Sequence, residues 1–292
     1  MTATETRRAL LLINKRARRG SESYTPIVEK LSQGGITVVE PTGGENLSIS
    51  EKMRQAKGCD LIIVGGGDGT LNAAAPALIE AGLPVGLLPL GTANDLAKTL
   101  NIPQDPLEAV DIIVRGQLRA IDVGVVNDHV FLNVASIGFS ADLANQLTAD
   151  IKKKWGSLGY GLTAFRLLRR FRRFTLYIEH DGQVEKVRTV QASVGNGRHY
   201  GGGMTVEESA TADDGRLDFY SLEVRHWWEL IALLPSLRKG THGKADKVRA
   251  FQTTAIRLNT RKPMPINTDG ELTTYTPALF SIKPKALRIY RP

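Results

Sequence analysis

The sequence predicts an α/β N-terminal domain built on a parallel sheet, followed by a mainly antiparallel β C-terminal domain, and two textures of the chain carry that prediction. Up to about Arg119, short apolar runs alternate with helix-like stretches; beyond it, strand-like runs follow one another closely, divided by Asn, Asp and Gly pairs. Alternation of the first kind builds βαβ units with a sheet covered on both faces, whereas close-set strands with turn signals build hairpins. The length agrees, because 292 residues exceed one ordinary domain, single cores ceasing to grow near about 250 to 300 residues. The expected division is 1–120 for the α/β part and 121–292 for the β part, with the last residues able to return to the first domain.

Taken in order, Ala9 to Asn14 reads as a short buried strand and Ser21 to Gln33 as a helix ended by Gly34-Gly35. Ile36 to Glu40 is the next strand, and Asn46 or Ser48 caps a helix running to Lys57, since either side chain accepts a first-turn N–H. Asp60 to Val64 is an apolar strand, Leu71 to Ala81 a helix stopped by Gly82, and Val85 to Leu88 a fourth strand. In such sheets ligands bind at the loops that leave the C-terminal ends of the strands. The second part offers strands at Ala120 to Val126, Val130 to Ala135, Phe174 to His180, Val187 to Val194 and Leu217 to Val224. Ala255 to Leu258, Leu279 to Ile282 and Ala286 to Ile289 complete the set, with Asn127-Asp128 and Asp181-Gly182 as hairpin turns. Two helices interrupt it, around Leu158 to Phe171 and Trp227 to Leu237.

Composition excludes several classes. With 42% hydrophobic and 23% charged residues the chain can bury a core and is not a disordered one. Its single cysteine, Cys59, excludes an intramolecular disulfide and a Cys-based zinc site, suits a reducing compartment, and is expected as a small buried apolar residue. The apolar run from Ala9 to Ile13 is too short for a signal-peptide core, and no stretch approaches a spanning helix of about 20 residues. The expectation is a cytoplasmic protein whose membrane contact is peripheral.

The formal net charge of +8 points to an anionic partner. It concentrates between Lys152 and Arg173, where Lys152, Lys153, Lys154, Arg166, Arg169, Arg170, Arg172 and Arg173 meet no Asp or Glu. Leu158, Leu162, Phe165 and Leu168 fall near helical spacing among these arginines, so the segment fits an amphipathic helix lying on an anionic membrane. The plain alternative is a solvated basic face on a helix whose apolar side packs on the second domain. Nucleic acid is not expected, because no recognised module is present and the basic segment has few aromatics for stacking bases.

The chemistry starts at Gly65-Gly66-Gly67-Asp68-Gly69-Thr70, which follows the apolar strand and precedes a helix. Glycines let backbone N–H groups approach a phosphate, and a helix N-terminus adds positive potential. Neither a Walker loop nor a dinucleotide fingerprint is present: Thr92 stands where Gly86-Leu-Leu-Pro-Leu-Gly91 would need Lys, and the Gly-x-Gly-x-x-Gly pattern lacks its third glycine. A ligand-free tight turn is the alternative. Asp68 argues against it, because a carboxylate in a phosphate cradle is repulsive unless a divalent cation offsets it, which indicates Mg-nucleotide. A second loop, Gly91-Thr92-Ala93-Asn94-Asp95, leaves the fourth strand at the same sheet edge; its simpler reading is a helix cap by Thr92 or Asn94.

The strand followed by Gly-Gly-Asp-Gly-Thr, with Asn72 two residues on and then Leu90-Gly-Thr-Ala-Asn-Asp95, resembles the diacylglycerol kinase catalytic domain. Within that superfamily it is most similar to the bacterial YegS-like lipid kinases. Asn133-Val-Ala-Ser-Ile-Gly138-Phe139, Gly195-Asn196-Gly197, Asp213-Asp214-Gly215-Arg-Leu-Asp218 and Asp269-Gly270-Glu271 extend the likeness in family order over essentially the whole chain. Asn14-Lys15-Arg16 departs from the Asn-Pro that often follows the family's first strand.

The resemblance implies an NAD kinase and diacylglycerol kinase-like fold and an ATP-dependent lipid kinase. ATP phosphates would lie on Gly66, Gly67, Asp68, Gly69 and Thr70, with Asn72, Thr92 and Thr42 lining the same site. It also puts a carboxylate base at Glu271, with Asp68 helping to hold Mg2+. Phosphoryl transfer asks for such positioning and charge neutralisation; the plain reading of Asp269-Gly270 is a hairpin turn. A structural Mg2+, or Ca2+ in its place, is implied at Asp214 with the carbonyls of Thr211 and Arg216. The acceptor would be a lipid hydroxyl of the phosphatidylglycerol or diacylglycerol class, since apolar pockets distinguish acyl chains poorly. Two alternatives stay open: an NAD kinase-like enzyme, which shares the glycine loop, and a non-catalytic nucleotide-responsive binding protein.

Overall fold

The computed structural model describes residues 6–14, 23–42, 47–139, 172–196, 199–200, 204–205, 211–226, 228–229, 232 and 247–292. The chain separates into two compact units, Met1–Val123 with Pro284–Pro292, and Gly124–Lys283.

The first unit alternates strand and helix: β1 (Arg7–Ile13), α1 (Tyr24–Gln33), β2 (Ile36–Val39), α2 (Ile49–Met53), β3 (Leu61–Gly66), α3 (Asp68–Ala81), β4 (Val85–Pro89), α4 (Asp95–Thr99) and α5 (Pro106–Arg115). The strands pair in parallel in the order β2, β1, β3, β4, and the chain's final strand joins β4 in parallel at Ile289 opposite Val85. Every residue of β3 and β4 is buried. That is why they read as unbroken apolar runs: a parallel strand covered on both faces has no polar side to alternate with. Ile27 and Leu31 of α1 are wholly buried, and α1 packs on β2 and α5. Cys59 is buried, as a small apolar residue would be.

Some elements differ from the sequence expectation. α3 begins at Asp68 and not at Leu71, because Gly67 is extended (φ −97°, ψ −174°) and serves as the N-cap. Asp68, Gly69 and Thr70 are thereby the first helical turn. α2 starts from Ser48, which forms a capping box with Glu51, but ends at Met53 and tightens into a 3-10 turn over Arg54–Ala56. α5 was not anticipated, although Asp105 accepts the N–H groups of Leu107 and Glu108 and Pro106 opens the helix.

The second unit comprises β5 (Leu118–Val126, which starts in the first unit), β6 (His129–Phe131), β7 (Val134–Gly138), β8 (Phe174–His180), β9 (Gln183–Thr189), β10 (Gln191–Gly195), β11 (His199–Tyr200) and β12 (Met204–Thr205), which pair only with each other, β13 (Leu217–Leu222), β14 (Val248–Thr253), β15 (Ala255–Thr260), β16 (Pro265–Thr268), β17 (Glu271–Tyr275) and β18 (Ala278–Tyr290), and its other strands form antiparallel layers. One layer runs β14, β13, β10, β7, β16, β17; in the other the start of β18 is followed by β15, β8 and β9. Ala135, Ile137, Ala192, Val194, Phe219 and Ile266 of the first layer meet Phe131, Leu176, Ile178, Ile256, Leu258 and Phe280 in one apolar core. Phe131 and Phe280 pack edge to face with centroids 6.5 Å apart.

Here too boundaries shift for identifiable reasons. The stretch Val130 to Ala135 is broken at Leu132-Asn133, and Val187 to Val194 is broken at Val190. Leu279 to Ile282 and Ala286 to Ile289 are one strand, interrupted only by Lys285, whose positive φ of 51° accompanies an N–H donated to Asp122 Oδ1 at 2.7 Å. β14, β16 and β17 were not anticipated. The predicted helix from Leu158 to Phe171, much of that from Trp227 to Leu237, and the basic residues Lys152 through Arg170 lie outside the described residues. Among the described residues no helix is long and apolar enough to cross a membrane.

Candidate active site

In the first unit the loops after β3 and β4 are neighbours because their strands are. The Leu90 N–H donates to the Gly66 carbonyl at 3.0 Å, and the two backbones touch at Gly67 and Gly91. A Cβ on Gly91 would land against the Gly67 Cα and 2.7 Å from Asn94 Oδ1, so side chains are excluded there by the closeness of the loops.

Asp68 crosses from one loop to the other. Its Oδ1 accepts the N–H of Asp95 at 2.7 Å and, at the longer 3.4 Å, that of Leu96. Its carboxylate therefore caps α4, a helix whose own N-cap residue, Asn94, makes no side-chain cap bond. Asn94 instead sits in the left-handed region (φ 52°, ψ 48°), takes the Gly91 N–H on Oδ1 at 3.0 Å, and donates Nδ2 to Gln104 Oε1 at 3.1 Å. The expectation that Asp68 needs a cation to offset it is thus only half the account, since backbone N–H groups of the second loop already neutralise part of its charge. Burial and then the Asp95 carboxylate push the Asp68 pKa above the ordinary carboxylate range, against the backbone N–H groups that pull it down.

The remaining nucleotide-site residues fall as follows. The Thr70 N–H closes the turn onto the Gly67 carbonyl at 3.0 Å, and its Oγ1 accepts from Asn14 Nδ2 at 3.2 Å. Gly69 is exposed with open space around it, Asn72 is buried in the next turn, and Thr92 is exposed at the tip of its loop. Thr42 stands apart. It follows β2, and β1 intervenes between β2 and β3, a separation of roughly 10 Å across two strand spacings. Its N–H and hydroxyl both donate to Gln55 Oε1, at 2.7 and 3.2 Å, while Gln55 Nε2 returns to its carbonyl at 2.8 Å.

In the second unit three motifs far apart in sequence converge. Asp269 and Gly270 form the turn between β16 and β17, with φ values of 49° and 101°. The Asp269 carboxylate accepts three successive backbone N–H groups, from Leu132 at 2.6 Å and from Asn133 and Val134 at 3.0 Å each. The carbonyls of the same segment are taken as well: Leu132 by Asn196 Nδ2 at 3.1 Å, Asn133 by the Asn196 N–H at 2.8 Å, and Val134 by the Asp269 N–H at 2.9 Å. Asn267 Oδ1 accepts the Gly270 N–H at 3.0 Å. Glu271 opens β17 beside this clamp with its side chain exposed.

Asp214 lies in the turn before β13, where its Oδ1 takes the Arg216 N–H at 2.9 Å; Thr211, Asp214 and Arg216 are all exposed. Among the described residues there is no cluster of three or more His, Cys, Asp or Glu able to hold a metal. The loop-bridging role of Asp68, the turn made by Asn94 and the Asp269 clamp were all missed from sequence. Only the Asp-Gly pair offered a signal, and it signals a turn without saying what holds it.

Comparison with known proteins agrees with this architecture. Residues 8–126 match the diacylglycerol kinase catalytic domain, and residues 133–291 match the YegS C-terminal NAD kinase beta sandwich-like domain. A diacylglycerol kinase of Mycobacterium tuberculosis is 31% identical over 274 residues, covering 91% of this chain and 88% of its own. A protein named as a YegS-like lipid kinase from Pseudomonas fluorescens is 31% identical over 291 residues, covering 98% and 96%. A solved structure from Bacillus anthracis, assigned to the diacylglycerol kinases, superposes with a TM-score of 0.83 at 26% identity, covering 100% of this chain and 97% of that one. With one family domain matched in each half and relatives at 31% identity along most of its length, the chain belongs to the diacylglycerol kinase and YegS-like family of lipid kinases.

Proposed function

We propose that this lipid kinase transfers the γ-phosphate of ATP to a hydroxyl of a phosphatidylglycerol- or diacylglycerol-class lipid, with Mg-ATP on the Gly66 to Thr70 loop and Glu271 as the base. The observation that carries the reading is the pair of interlocked loops, with Gly67 against Gly91 and the Asp68 carboxylate seated on the second loop. Bare glycine backbone at the start of α3 offers N–H groups to phosphate oxygens, and the helix dipole favours the anion. Asp68 and Asp95, close enough for one charge to raise the pKa of the other, supply the hard oxygen donors that Mg2+ accepts. Such an ion would offset the negative charge of the phosphate groups. Thr70, Asn72 and Thr92 line this edge, with Thr42 as an outer member.

Glu271 suits a base for its own reasons. It is an exposed carboxylate on a turn whose neighbour, Asp269, is clamped by three N–H groups, so it is held in place while reachable by substrate. A positioned carboxylate that takes a hydroxyl proton contributes about 10² to 10⁴ in rate. The exposed Thr211, Asp214 and Arg216 oxygens are a separate candidate for a bound cation, to be tested by metal analysis of the purified protein. The enzyme is expected in the cytoplasm, reaching its substrate by peripheral contact with anionic membrane.

The test is transfer of labelled phosphate from Mg-ATP to a lipid extract or to NAD. Labelled lipid is expected, with a loss of about 10² or more in Glu271→Gln. Labelled NADP with unlabelled lipid would overturn the reading, and full activity in Glu271→Gln would remove that residue from the chemistry.

A further inference from the structure

Gln55 belongs to none of the motifs above, yet both ends of its amide are bonded to Thr42, a residue that the family likeness puts in the nucleotide site. It lies on the 3-10 turn Arg54–Ala56 that follows α2, anchored by the buried Met53 and Ala56. The Thr42 N–H donates to Gln55 Oε1 at 2.7 Å, and Gln55 Nε2 donates to the Thr42 carbonyl at 2.8 Å. Those two bonds fix which end of the amide is which, and they suffice to hold the chain where it leaves β2.

The third bond does something else. Thr42 Oγ1 lies 3.2 Å from Gln55 Oε1, an atom that carries no hydrogen, so the hydroxyl is the donor. A threonine hydroxyl has one hydrogen and two lone pairs. With the hydrogen given to Gln55, Thr42 is left as an acceptor. The oxygens of a Mg-bound triphosphate are acceptors as well, so Thr42 offers them nothing. The donors of ATP are at its other end, in the exocyclic amine of adenine and the two ribose hydroxyls. Thr42 is placed for that end, because β1 separates its strand from β3, which sets it roughly 10 Å along the sheet edge from the Gly66 to Thr70 loop.

We infer that Gln55 is a positioning residue that sets nucleotide specificity: by taking the hydrogen of the Thr42 hydroxyl it makes Thr42 an acceptor for a donor on the nucleoside, a base amine or a ribose hydroxyl, and not a ligand of phosphate. This rests on the Mg-ATP reading above and deepens it. Thr42 makes the contact; Gln55 decides its polarity and touches no nucleotide itself.

The test is calorimetric titration of the full chain, in Mg2+, with ADP, inosine diphosphate, 2′-deoxyADP and 3′-deoxyADP. Inosine diphosphate lacks the base amine and each deoxy nucleotide lacks one ribose hydroxyl, so the analogue that binds more weakly than ADP names the donor. A penalty of about three- to tenfold is expected for one of them. It should persist in Thr42→Ser, which keeps the hydroxyl, and in Gln55→Glu, which keeps the accepting oxygen. In Thr42→Val and Gln55→Leu it should shrink to within about twofold; Gln55→Met replaces Gln55→Leu should that variant fail to fold. Equal affinity of wild type for all four nucleotides overturns the inference, as does a penalty that survives in Thr42→Val. A penalty lost in Thr42→Val but kept in Gln55→Leu overturns the role of Gln55. Binding is read apart from transfer. The penalty in a protein that labels no lipid supports the inference and refutes the kinase reading, while labelled lipid without the penalty refutes the inference alone. No binding of ADP refutes the Mg-ATP reading and the inference together.

Discussion

Asp269→Ala removes a single carboxylate and orphans three backbone donors at once. The N–H groups of Leu132, Asn133 and Val134 lie 2.6, 3.0 and 3.0 Å from its oxygens, and hydrogen bonds to a charged acceptor contribute about 1.5 to 3 kcal/mol each. The three are not additive, and the half-buried site lets water reach part of what is exposed. A net loss of about 3 kcal/mol is expected, equivalent to roughly 6 to 12 °C in melting temperature for a unit of this size. Asp269→Asn keeps one acceptor but turns an NH2 group toward a donor, and should lose about half as much. Calorimetry at neutral pH, paired with a urea midpoint at constant m-value, measures both. Phosphoryl transfer should fall by about tenfold or more in either variant, because the turn that carries Glu271 is no longer fixed. A melting temperature within about 1 °C of wild type for Asp269→Ala would refute the reasoning, showing that the orphaned donors rehydrate without cost.

Other expectations follow from single contacts. Gly91→Ala forces a methyl group between the loops after β3 and β4 and should cost about 1 to 3 kcal/mol in stability, together with most of the ATP affinity read by calorimetric titration; unaltered affinity would mean that the loops separate freely. Asp105→Ala deletes the N-cap of α5 and should cost about 1 kcal/mol in urea denaturation with activity preserved. Asp68 gives a pH signature in metal-free protein. Burial, then Asp95, raises its pKa above the unfolded value, so the folded chain keeps this proton to higher pH than the unfolded one. The stability it contributes is therefore present at low pH and lost as pH rises through the raised pKa. The melting temperature of Asp68→Asn relative to wild type should climb as pH rises above the ordinary carboxylate range, while kinase activity is lost. A flat difference would contradict the assigned burial.

The α/β half was the more legible because its signals are local. β3 announces itself as an apolar run that ends in glycines, and the Gly67 turn into α3 needs only adjacent residues. Asp68 could be picked out as an acid in a glycine loop. That its carboxylate binds Asp95 and Leu96 depended on Gly67 and Gly91 bringing two loops into contact, which no local pattern reports. The second half hid more. Asp269 reads as half of an Asp-Gly turn, and its partners lie 135 to 137 residues earlier in the chain. β16 and β17 are short, polar in part and joined by that same turn, so period-two alternation had little length in which to appear. α5 is a different failure, since Asp105-Pro106 and the closing Gly116 are ordinary helix signals that were present and unread.

The path of β18 bears on how the protein is made. Its opening residues pair with β15 in the second unit, while Ile289 covers the edge of β4 in the first. Arg288 holds the Gly82 carbonyl at 2.8 Å, and the Arg291 N–H holds that of Gln117 at 3.2 Å. During synthesis the first unit therefore emerges early yet waits for residues that follow the whole of the second unit, and until they arrive β4 presents an unpaired, wholly apolar edge. Edges of that kind recruit foreign strands. A fragment ending near Val123 should accordingly aggregate where the full chain does not, and removing Pro284–Pro292 should strike the first unit, although its other residues all precede Gly124.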